Sequence, residues 1–99
     1  MIKEKFEVCL SHIDTQINHY ISNNKDVDWI INELQIKIIK FQSILKNIPE
    51  DQPRYHFIKT HNDVCLKRIE DFNLFKSKEM DIRKMFKLIK FRDRFTMTF

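Results

Sequence analysis

The chain has 99 residues, 42% hydrophobic and 32% charged, with a formal net charge of +4. That is one domain's length and too apolar a composition for disorder. Gly and Ala are both absent, which excludes Gly-rich phosphate loops, argues against the tight turns of β-hairpins and leaves the core to bulky side chains.

The first predicted helix runs from Lys3 to about Ser22. Its apolar residues Phe6, Leu10, Ile13, Ile17 and Tyr20 recur at alternating steps of four and three, which lays them along one stripe. The polar run from Ser22 to Asp26 breaks the pattern. Asn can take the left-handed conformation that Gly usually takes at a helix end, and Asn24 or Asp26 can cap the next helix.

The second helix, about Val27 to Asn47, has the most regular stripe: Val27, Ile31, Leu34, Ile38, Phe41, Leu45 and Ile48. This is a coiled-coil-like seam about three heptads long. Pro49 closes it, because the residue before a proline avoids helical geometry. Asp51 and Pro53 open the third helix, about Pro53 to Phe72, with the seam Tyr55, Ile58, Asn62, Cys65, Ile69 and Phe72. A slight rotation that moves Asn62 to the seam's edge and Leu66 inside is the expected way to avoid burying an amide. Asn73 is the expected stop and Ser77 a cap for a fourth helix, about Lys78 to Phe91, with Ile82, Met85, Phe86 and Ile89 on one face. Phe95, Met97 and Phe99 alternate with threonines, which suits an extended tail.

The predicted architecture is all-α: an antiparallel bundle of three long helices, a shorter basic fourth helix and an extended C-terminal tail, in one domain spanning residues 1–99. Short connections make sequence neighbours antiparallel. Two cysteines make no disulfide framework. The N-terminus carries charges where a signal peptide would have its apolar core, and no apolar run approaches the roughly 20 residues of a membrane span. The expectation is a cytoplasmic protein with no transmembrane segment.

Four features bear on function. First, Trp29 and Ile36 sit nearly opposite the second helix's seam, with Ile39 on the flank. Either that helix is central in the monomer, or a protein partner or second copy covers the face. With the apolar end Phe95, Met97 and Phe99, which could add a strand to a partner, these residues predict a non-enzymatic interaction protein that needs no cofactor. Second, residues 76–94 hold eight basic against three acidic residues, while the rest of the chain is near neutral. Arg83, Lys84, Lys87, Lys90, Arg92 and Arg94 are candidates for binding nucleic-acid phosphates; an acidic protein or a membrane surface would suit the same charge.

Third, Cys9 and His12 are three apart, and His61 and Cys65 are four apart, so each pair shares a helical face. If the first and third helices are neighbours, the four could meet as a zinc site. Fourth, Arg54 and His61 enclose six residues, Tyr55 to Thr60. This resembles the Arg-x(4–6)-His motif of the HEPN family, all-α bundles that include ribonucleases. The resemblance implies that Arg54 binds phosphate and His61 does acid–base work. The match covers eight residues and has Tyr55 where the family often has a polar residue.

Overall fold

The computed structural model describes residues 2–76 and 79–96, and every element in them is a helix: α1 (Ile2–Ser22), α2 (Val27–Leu45), α3 (Pro53–Phe75) and α4 (Ile82–Thr96). None of these helices is long and apolar enough to cross a membrane.

The helix ends follow from their side chains. Asn24 takes a positive φ of 62°, the role open to Asn in a chain without Gly. The Asp26 carboxylate accepts a 2.8 Å hydrogen bond from the Trp29 amide and so caps α2. Pro53 stands in the first turn of α3, where its missing N–H loses nothing. The expected stop at Asn73 does not operate, and α3 continues to Phe75. The α4 helix starts later than predicted. There the Asp81 carboxylate accepts from the Arg83 amide at 3.3 Å and the Asp81 carbonyl accepts from the Met85 amide, so Asp81 serves as cap; Ser77 lies outside the described residues.

Contacts between helices give their directions. Cys9 meets Phe57, His12 meets His61 and Asp14 meets Arg68, so α1 and α3 run parallel. Tyr20 packs edge-on against Trp29, and Lys76 pairs with Asp28, so α2 runs against both. Phe72 stacks on Phe86 with centroids 6.0 Å apart, and Arg68 reaches Asp93, which sets α4 antiparallel to α3. The result is an up-down-up-down bundle with extents of 44 × 30 × 21 Å, its least dimension about two helix diameters. The core is built from Cys9, Ile13, Ile17 and Ile21 of α1, Ile30, Ile31, Leu34 and Ile38 of α2, Val64, Cys65 and Phe72 of α3, and Met85, Phe86 and Ile89 of α4.

The central helix is α3, which packs against all three others. Two expectations are corrected. Asn62 is buried at 8% exposure while Leu66 is 44% exposed, so the rotation that would exchange them does not occur. It would also withdraw Val64 and Arg68, both fully buried on a second arc of α3. The C-terminal alternation is not extended at its start, because Phe95 and Thr96 complete α4. A helix already docked through Met85, Phe86 and Ile89 adds turns more readily than it stops. Met97 and Phe99 lie outside the described residues.

Candidate functional site

Each of three apolar stripes carries one charge in line with its core residues. Asp14 follows Leu10 and precedes Ile17 on α1. Arg68 stands between Cys65 and Phe72 on α3, and Asp93 follows Phe86 and Ile89 on α4. Packing brings the three together. The Arg68 guanidinium has no exposed surface and donates to both Asp14 oxygens at 2.7 Å, to Asp71 at 3.0 Å and to Asp93 at 2.6 Å. Lys67 joins from the rim, donating to Asp71 at 3.1 Å and Asp93 at 2.9 Å. Burial opposes the charge on Arg68, but hydrogen bonds and the charges of Asp14 and Asp93 more than restore it, and the group is held protonated more firmly than usual. Burial likewise pushes the Asp93 carboxyl up, and Arg68 and Lys67 outweigh it, holding the group below its ordinary range. None of its five residues lines the clefts described below, and it contains no nucleophile. It joins α1, α3 and α4 and fixes which side of α4 faces inward.

That inward choice shapes the outer surface. Between Ile82 and Arg94 the one acidic residue is Asp93, and it is buried against Arg68 and Lys67. Arg83, Lys84, Lys87, Arg92 and Arg94 are exposed, and Lys90 is half-buried with its Nζ 4.4 Å from the centre of the Phe86 ring. Arg83, Lys87 and Lys90 line a cleft of about 190 Å³ whose opposite wall is Asn18, Ile21 and Ser22 of α1. Acidic Asp14, the nearest carboxylate on that stretch of α1, is also turned in to Arg68.

The outer face of α2 is only partly covered within the chain. Trp29 and Ile36 are each 37% exposed and Ile39 is 66% exposed. The indole is held between Tyr20, edge-on at 5.0 Å, and the Lys25 ammonium, 4.9 Å from the ring centre. Ile39 is thus the most exposed of the three, while Trp29 is partly covered by Tyr20 of α1.

Of the four candidate metal ligands, only the histidines meet. His12 Nδ1 lies 3.3 Å from His61 Nε2, and His61 Nδ1 lies 3.0 Å from the Phe57 carbonyl. Phe57 and Phe41 flank the His61 ring. The cysteines point into the core: the Cys9 thiol donates weakly to the Phe57 carbonyl, and burial raises both thiols, Cys65 to about 11 despite nearby Lys37. Among the described residues no group of three or more His, Cys, Asp or Glu side chains is placed to hold a metal ion, so the four-ligand site is not formed.

No protein family, curated protein or solved structure matches the chain.

The pair suggested by the HEPN-like spacing is not brought together around one cavity. His61 lines a cleft of about 310 Å³ with His12, Gln16, Lys37, Phe41 and Phe57, and Arg54 is not on its wall. Arg54 stands exposed in the first turn of α3, two turns away along the axis. The charge cluster was the feature that stripe analysis missed. A stripe scored only for apolar residues passes over Asp14, Arg68 and Asp93. Opposite charges embedded in core stripes of different helices were the available signal.

Proposed function

We propose that the chain is a non-enzymatic binding protein whose α4 surface docks the phosphate backbone of a nucleic acid. The observation that carries this reading is the inward turn of Asp93. It leaves Arg83, Lys84, Lys87, Lys90 and Arg94 on a stretch whose one acidic residue, Asp93, is turned inward. Phosphate contacts need positive charges that are not already neutralised by neighbours, and they hold a polyanion without reading its sequence. The cleft between α1 and α4 adds Asn18 and Ser22 as uncharged polar neighbours of Arg83 and Lys87.

The test is anisotropy titration of labelled duplex DNA and single-stranded RNA with the full chain over a range of salt. Binding should weaken steeply with salt, and replacing Lys84, Lys87 and Arg94 with Gln should flatten the logarithmic slope by about 2–3. Absence of binding at low salt overturns the reading.

A second reading rests on the exposed part of the α2 face: a protein partner or second copy seated on Trp29, Ile36 and Ile39. Exposed apolar patches can mark interfaces, and Trp is enriched with Tyr and Arg among their anchors. Light scattering on the wild type and on Trp29→Glu separates the two readings for self-association. A monomer in both removes the second copy as occupant.

A further inference from the structure

We propose that the phosphate-docking face of α4, on whose reading this assignment rests, takes single-stranded nucleic acid and stacks an unpaired base on the Phe91 ring. Lys84, Lys87, Leu88, Phe91 and Arg94 recur at steps of three and four, so they share one face of the helix. That face lies away from Met85, Phe86 and Ile89, which are buried in the core. Phe91 is 55% exposed and Leu88 38% exposed. Lys84 and Lys87 precede the ring along the axis and Arg94 follows it, so cations flank it over about 15 Å of helix. Lys87 also lines the cleft toward α1 with Arg83 and Lys90, which continues the cationic track from the ring across the surface.

The make-up of that face selects the ligand. Cations by themselves hold any polyanion, a duplex included. A duplex carries its phosphates outside and keeps its base faces stacked within, so it has no π-face to lay on an exposed ring. An unpaired strand offers both base faces and phosphates, and an aromatic ring set among cations matches the two together. A membrane surface also attracts cations beside apolar side chains. A helix lying in it inserts a broad apolar face, and the one α4 has, through Met85, Phe86 and Ile89, is already buried in the bundle. A single exposed ring suits one base and falls short of an insertion face.

The experiment is anisotropy titration of the full chain at low salt against labelled strands of about 12 nucleotides. The probes are single-stranded DNA, single-stranded RNA, duplex DNA and an abasic strand with the same number of phosphates; phosphatidylserine vesicles are tested by co-sedimentation. Both single strands should bind at least about fivefold tighter than the abasic strand, and Phe91→Ala should weaken them by about 5- to 150-fold. The same variant should keep the salt slope and bind the abasic strand and the duplex within about twofold of wild type, since their phosphate contacts are intact. Phe91→Trp should bind single strands as the wild type does. Circular dichroism checks that Phe91→Ala folds, and the wild-type comparison of normal with abasic strands decides without any variant. No binding of any nucleic acid removes the phosphate-docking reading and this assignment with it. Equal affinity of wild type for normal and abasic strands leaves phosphate docking standing and overturns the stacking site. Vesicle binding in preference to single strands overturns it in favour of a membrane surface.

Discussion

The two sides of α4 use the same kinds of residue to opposite ends. Inside, Arg68 and Lys67 meet Asp14, Asp71 and Asp93, so opposite charges are paired at short range with little water between them. Outside, on the same helix, Lys84, Lys87 and Arg94 are exposed to solvent. The inner set determines geometry and has nothing left to offer a ligand. The outer set determines nothing about the fold and is available to an anion. Net charge along the sequence averages these two groups and hides the division.

The contrast breaks most visibly at Arg68. Arg68→Ala leaves three clustered carboxylates with Lys67 as their remaining counter-charge and none on Asp14, and should cost about 3–5 kcal/mol in urea unfolding. If the loss is under about 1 kcal/mol, the inner set is not structural and the contrast fails. Replacing Arg68, Asp14, Asp71 and Asp93 together with apolar residues of similar volume should restore much of the stability, because the whole set is then exchanged for packing.

Acid tests the same cluster from the carboxylate side. The Asp93 carboxyl is held below its usual value of 3.8. Its contribution is therefore complete above that value and disappears as pH falls through the lower folded value. The urea midpoint should drop in that acid window, and Asp93→Asn should flatten the drop. An unchanged acid profile in the variant would assign the loss to other groups.

A smaller effect is expected at Asn62, whose Oδ1 is buried with no hydrogen-bond partner. Asn62→Leu removes an unsatisfied acceptor and should be neutral or stabilise by about 1 kcal/mol. The smallest effect on stability belongs to the outer set. Gln at Lys84, Lys87 and Arg94 should shift unfolding by less than about 0.5 kcal/mol per site, even as it removes anion binding. A large loss of stability there would erase the distinction between the two sides.

Much of the bundle was legible because α1, α2 and α4 bury mainly apolar residues on one side, and a regular stripe reports that directly. Ile31, Leu34 and Ile38 are buried as their spacing implies, with Ile30 added where α2 begins. The α3 helix was harder to read. Touched by three neighbours, it buries a second arc of Val64, Arg68 and Asp71, and two of those three are charged. Asn62 misled for a related reason: a rule that moves polar residues outward fails on a helix with little outward side. The sequence spacing of Cys9 with His12 and of His61 with Cys65 placed the histidines near one another. It could not show that burial would keep the thiols as core side chains instead.

The reach of Arg68 also bears on the order in which the chain assembles. Its partners Asp14 and Asp93 stand 54 and 25 residues away in sequence. A guanidinium in a half-built core would lack part of its counter-charge, so intermediates that bury α3 before α1 and α4 arrive are disfavoured. The last helix is thus tied to the first through one buried guanidinium. A nascent chain stopped short of Asp93 would be left with an incompletely paired cation at the centre of its fold.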